Sequence, residues 1–174
     1  DETNFYRAIA PAESFDAIIC LDAYFYFGTD DLYLNYLANF VRPDGWLGIA
    51  GAGLTQEITG EVPAHLQENW TNDYWALHSA PWQRRHWEKT GIVDIVQADT
   101  MPDGGRVWLE WQQRAHPYHQ KEIVSLEIDA GRWITYTRVI ARRRAGVKLE
   151  EYCWPSQRRV LPMQFDPLPI AAES

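Results

Sequence analysis

Between positions 15 and 50 two apolar runs flank a stretch of helical period. Phe15-Asp16-Ala17-Ile18-Ile19-Cys20-Leu21 is nearly unbroken, the pattern of a strand covered on both faces in a parallel sheet. After Asp22-Ala23-Tyr24-Phe25-Tyr26-Phe27-Gly28, the residues Leu32, Tyr33, Tyr36, Leu37 and Phe40 fall on one helical face. Thr29 is the expected N-cap of that helix, with Asp30 and Asp31 complementing the positive end of its dipole. Arg42-Pro43-Asp44-Gly45 reads as a stop and turn, and Trp46-Leu47-Gly48-Ile49-Ala50 as a second buried strand. Strand, crossover helix and strand make one right-handed βαβ unit, so the fold class is α/β.

The pattern then loosens. Residues 1–10 read as a short helix or the end of an earlier element, and 55–78 as an aromatic-rich, largely helical lid or connection. A clear helix follows, with Ser79 as N-cap, Pro81 in the first turn and Thr90-Gly91 as its stop. Ile92-Val93-Asp94-Ile95-Val96 is a third strand. Residues 99–131 form an expected insertion of two helices, broken at His116-Pro117 and closed at Gly131. Trp133 to Ala141 alternates and is rich in β-branched and aromatic residues, the signature of a strand. One domain over 1–146, with a proline-containing tail over 147–174, is the expected organisation.

A chain of 174 residues with 46% hydrophobic and 23% charged residues can bury a real core. Its net charge of -8 argues against nucleic acid as a partner, since phosphate contacts need a basic surface. Arg142-Arg143-Arg144 is read as a solvated strand end. Two cysteines make no disulfide framework, and Cys20 reads as a small hydrophobe in a strand. With no apolar run of membrane-spanning length and no leader, the expectation is a cytoplasmic protein without a membrane partner. The chain opens on Asp1 rather than methionine, which suggests processing or further upstream sequence. Neither a phosphate-binding loop nor a nucleophile elbow is present. His116 and His119 lack the further ligands a zinc site needs, so no metal is expected.

The Phe15-Asp16 strand opening, and the Arg-Pro-Asp-Gly turn at 42–45 ahead of Trp46-Leu47-Gly48-Ile49, resemble the carboxyl half of class I S-adenosylmethionine-dependent methyltransferases. So do the helix leading to Thr90-Gly91-Ile92 and the final strand over 133–141. The resemblance covers about Ser14 to Arg143 and is closest to small-molecule enzymes of that family. It implies a partial Rossmann-like sheet, parallel but for an antiparallel last strand, with S-adenosylmethionine as cofactor and a small molecule as methyl acceptor. The family's glycine-rich turn and its ribose-binding acidic residue have no counterpart here. Gly51-Ala52-Gly53 follows the wrong strand and is followed by Gln56, so it reads as a turn.

Ligands of open parallel sheets bind beyond the carboxyl ends of the strands. Asp22, Ala23 and Tyr24 leave the first strand there, and the resemblance sets them beside the cofactor's methionine portion. His78 and His86 are candidates for a general base, Trp82 and His86 sharing one helical face; packed or surface histidines are the alternative. Tyr26, Trp75 and Trp82 are candidate substrate contacts, and Trp70, Trp75 and Trp82 an aromatic wall able to hold a cation, or else plain core. An open sheet edge beside the first strand would favour a homo-oligomer. A methyltransferase and a non-catalytic, oligomeric remnant of one are the two functional readings.

Overall fold

The computed structural model describes residues 10–149. The expectations for residues 1–9 and 150–174 lie outside the described residues. Four strands form one sheet: β1 (Phe15–Leu21), β2 (Val41–Leu54), β3 (Val93–Thr100) and β4 (Ile134–Arg143), in the spatial order β1-β2-β4-β3. The β1 and β2 strands pair in parallel, Ile18 opposite Leu47 and Cys20 opposite Ile49. The β4 strand runs antiparallel to both β2 and β3, so the first three strands share one direction and the last opposes them. This is the expected α/β sheet with an antiparallel closing strand.

One face is covered by α1 (Tyr33–Ala38) and α3 (Ala80–Glu88). Leu34 and Ala38 of α1 and Trp87 of α3 pack there on Leu47, Ile49, Val93, Val139 and Ala141. Towards the carboxyl end of β2, a second core joins Ala52, Leu54 and Ile134 to Leu66 of the short α2 (Ala64–Gln67). Trp108 of α4 (Gly104–Ala115) and Leu126 of α5 (Gln120–Asp129) complete it. No helix among the described residues is long and apolar enough to cross a membrane.

Several sequence expectations change. The β1 strand is not covered on both faces: Ile19 is 71% and Leu21 67% exposed, because only the Ile18 and Cys20 side meets helices among the described residues. Thr29 does not cap a helix. Asp30 instead accepts from the Leu32 amide at 2.7 Å, and α1 begins only at Tyr33 with Leu34, Asn35 and Ala38 buried. Of the residues expected on its core face, Tyr33 and Leu37 pack against the core, Leu32 is exposed, and Tyr36 lies between the rings of Tyr33 and Phe40. Arg42-Pro43-Asp44-Gly45 is not a free turn but an irregularity within β2, where pairing jumps from Phe15–Val41 to Ala17–Trp46. Asp44 takes a left-handed φ of 61° there, and Arg42 pairs with Asp16. Gly51-Ala52-Gly53 is also strand, not turn.

The arginine cluster divides by strand alternation. Arg143 points inward, 5% exposed, and donates to the Val41 carbonyl and, at 2.9 Å, to Glu13. Arg142 lies over the Trp46 ring at 4.7 Å, and Arg144 pairs with Asp94 at 2.7 Å.

Candidate active site at the carboxyl rim of the sheet

Because β1 and β2 are parallel, their carboxyl ends open on one rim. Asp22 stands at the end of β1 in the left-handed region, φ 52°, with its amide donating to the Ala50 carbonyl at 2.9 Å. An aspartate tolerates this conformation better than most residues. Its carboxylate accepts from the Tyr136 hydroxyl of β4 at 3.3 Å. Partial burial raises the Asp22 pKa, against the lowering effect of the Tyr136 hydroxyl and the Ala52 amide. The Tyr136 phenol is in turn pushed up to about 12 by burial and by the Asp22 charge.

Ala23 leads into one turn of 3-10 helix over Tyr24–Tyr26. Tyr24 is 5% exposed and meets Phe27, Tyr33 and Trp87 edge-on. Gly28 makes room for it, since a Cβ there would fall 1.9 Å from its ring. Tyr24 and Phe25 border a shallow recess, with room for about one water, whose other walls include Gly51, Ala52, Gln83 and Thr137. Of the three residues expected beside a cofactor, Asp22 stands at this rim, Ala23 is the link after it, and Tyr24 is half wall, half core.

Across the rim, β2 ends against the start of α3: Leu54 bridges Ser79 and its amide donates to the His78 carbonyl at 3.1 Å. Gly53 allows that approach, because a Cβ would lie 2.7 Å from Thr137 Oγ1 and 2.8 Å from the His78 oxygen. This is a packing reason for the glycine. Ser79 caps α3, accepting from the Trp82 amide at 3.4 Å. His78, Trp82 and His86 then form a stack: His78 lies 3.6 Å from the Trp82 ring and nearly parallel to it, and His86 4.6 Å away on Trp82.

The two histidines differ in their partners. His78 Nδ1 meets Glu57 Oε2 at 2.9 Å. His86, 6% exposed, donates from Nε2 to Asp31 at 2.9 Å and has a buried Nδ1 without a partner among the described residues. Burial lowers the His86 pKa, against the raising effect of Asp31. Asp31 itself is held below its ordinary value by Lys89 and then by His86.

The expected aromatic wall is not one surface. Trp75, 59% exposed, leans on Trp70 at 5.5 Å, whereas Trp82 stands between the histidines instead. Trp70 continues through Tyr74 and Trp108 to Tyr136, an aromatic line from the 55–78 segment to β4. Tyr26 is 62% exposed beside Phe25. Sequence reading missed Glu57, Gln83 and Tyr136. Nothing in their local sequence marks them; each is brought to the rim by a distant segment.

The order β1-β2-β4-β3, with its parallel pair and antiparallel closing strand, is a partial Rossmann-like fold of the class I S-adenosylmethionine-dependent methyltransferase type. Among solved structures, phosphoethanolamine N-methyltransferase 2 of Haemonchus contortus is similar, with 17% identity and a TM-score of 0.57 over 76% of this chain and 34% of that one. Geranyl diphosphate C-methyltransferase of Streptomyces coelicolor A3(2) follows at 12% and 0.57, over 78% and 49%. The cyclase SpnF follows at 14% and 0.53, over 79% and 53%. The chain thus spans from a third to about half the length of these relatives, and the cyclase among them shows that the fold alone does not set the reaction. No protein-family model and no curated protein matches the chain.

Proposed function

We propose that the chain serves S-adenosylmethionine-dependent methyl transfer to a small molecule, as part of a cytoplasmic enzyme that takes neither nucleic acid nor membrane as partner. The single observation that carries this reading is the rim itself, where parallel β1 and β2 end together with Asp22 in a left-handed turn beside a recess. The structural relatives support the cofactor, since the first is a complex with S-adenosyl-L-methionine and the geranyl diphosphate enzyme one with S-adenosyl-L-homocysteine.

The described residues fit one end of that cofactor. Asp22 offers a carboxylate for the methionine ammonium, and the Phe25 and Tyr26 rings offer faces for a sulfonium. A glycine-rich turn for its carboxylate and an acidic residue for its ribose would come from outside the described residues. When bound, the cofactor supplies an electrophilic methyl group. Tyr26, Trp75 and Trp82 are placed on the acceptor's side, and the general base is assigned to His78. His86 contributes by steadying Trp82, since its free nitrogen is closed off. Reaction then depends on orientation and on removal of water, the usual source of rate in a bimolecular transfer.

A second reading, a non-catalytic homo-oligomer descended from such an enzyme, is favoured by the exposed Ile19 and Leu21 on β1. Calorimetric titration of the full-length protein with S-adenosylmethionine separates the two. Saturable binding upholds the enzyme, and no heat at millimolar cofactor with a stable oligomer by sedimentation upholds the second reading.

A further inference from the structure

One histidine at the rim is clamped by a carboxylate at one ring nitrogen and left open at the other. Glu57 Oε2 faces His78 Nδ1 at 2.9 Å, while Glu57 Oε1 accepts from the Ser79 amide at 2.7 Å and the Ser79 hydroxyl at 2.6 Å. Burial pulls the Glu57 carboxyl upward, but the bonds from Ser79 and His78 outweigh it and hold the group below its ordinary value. Ionised at neutral pH, it can only accept. The hydrogen between the two groups therefore belongs to Nδ1, and neutral His78 carries its lone pair on Nε2. That nitrogen has no hydrogen-bond partner among the described residues, and the side chain is 20% exposed. The Trp82 ring lies parallel to the imidazole at 3.6 Å and fixes its plane.

We propose that Glu57 is a positioning residue that makes His78 a general base, and that the methyl acceptor is an amine or hydroxyl compound whose nucleophilic atom still carries a proton. This rests on the methyl-transfer reading above. The heteroatom's electron pair would form the new bond to the methyl carbon as the donor's carbon–sulfur bond breaks, its pair left on sulfur as a neutral thioether, and the acceptor's N–H or O–H proton passes to the Nε2 lone pair. The imidazolium so formed is balanced by Glu57 and stacked on Trp82, and it returns the proton to solvent.

Glu57→Gln tests this without removing the α3 cap. Its amide oxygen still accepts from Ser79, but its N–H₂ faces His78 Nδ1, so the ring must carry its hydrogen on Nε2, where the base is blocked. Multiple-bond ¹H–¹⁵N spectra of the full-length protein, labelled on histidine, read the tautomer at about pH 8.5, above the ordinary histidine range. His78→Gln assigns the signal. The expected result is a hydrogen on Nδ1 in the wild type and on Nε2 in E57Q. A wild-type ring protonated on Nε2, or no change in the variant, overturns the proposal. In methylation assays, E57Q should lower kcat on the order of 100-fold for N–H or O–H acceptors and leave a tertiary amine within about twofold. Equal losses for both classes overturn the base assignment. Absent cofactor binding with the tautomer switch intact overturns methyl transfer, and with it the acceptor class, while upholding the hold of Glu57 on His78.

Discussion

Replacing Asp22 separates charge from backbone conformation at the rim. Asp22→Asn keeps the size and the tolerance for φ 52° but removes the carboxylate; Asp22→Gly removes both side chain and strain; Asp22→Ala removes the carboxylate and leaves the strain. An ordinary residue in the left-handed region costs about 1–2 kcal/mol, so D22A should be less stable than D22G by roughly that amount. Loss of the Tyr136 hydrogen bond at 3.3 Å affects both variants alike and cancels from the comparison. The raised Asp22 pKa sets the sign of the charge effect. The folded state holds the proton more tightly than the unfolded one, so this group's contribution falls as pH rises from the ordinary aspartate value through the raised one. D22N should therefore be no less stable than the wild type at neutral pH. Binding moves the other way. A hydrogen bond from the cofactor ammonium to a charged carboxylate is worth about 1.5–3 kcal/mol, which is about 10- to 150-fold in Kd. Calorimetric titration with S-adenosylmethionine measures it, beside thermal unfolding of the same samples. An unchanged Kd in a folded D22N protein would refute the placement of Asp22 beside the cofactor.

Three further outcomes are expected. Asp129, 1% exposed, accepts from His65 Nε2 at 2.9 Å and from the Trp133 and Ile134 amides at 3.1 and 3.0 Å, tying α5 to β4. Asp129→Ala strands those donors and should cost about 3–5 kcal/mol, read from the urea midpoint at constant slope; a loss under about 1 kcal/mol would count against the linkage. Gly105→Ala would set a Cβ 2.6 Å from the Gly131 Cα and 2.8 Å from the Ile134 carbonyl, and the displaced α4 should lower stability by about 1–3 kcal/mol in thermal unfolding. Acidification from about pH 7 towards 5 should destabilise the protein. Burial keeps His86 neutral in the fold while the unfolded chain gains a proton near the ordinary histidine value, and that stability returns as pH rises through the same window. His86→Gln should flatten this part of the pH–stability curve, and an unchanged slope would show that His86 is not its source.

Local pattern announced the strands and α3 because their determinants lie close together in the chain. The apolar runs of β1 and β2, the Ser79 cap and the Gly91 stop each act within a few residues. The α1 region failed for a physical reason that periodicity does not see. Tyr24, Phe27, Tyr33 and Tyr36 pack edge-on or tilted against one another, Tyr24 also against Trp87, instead of presenting a single helical stripe, and the helix runs only six residues. The exposure of β1 has another cause. An unbroken apolar run records that a strand is made to be covered on both sides, but not which polypeptide does the covering, and among the described residues α1 and α3 supply one side only.

The site shows where local reading ends. His78 and His86 look equivalent in sequence, flanking Trp82 at helical spacing in a tryptophan-rich stretch, and both do stack on it. Their chemistry is set instead by two carboxylates far away in the chain. Glu57 takes the Nδ1 side of His78 and leaves Nε2 open; Asp31 takes the Nε2 side of His86 and leaves a nitrogen sealed from solvent. The two imidazoles thereby differ in which ring nitrogen faces a carboxylate. The difference is a choice of ring nitrogen, made by segments 21 and 55 residues away, and only the folded chain brings those segments together.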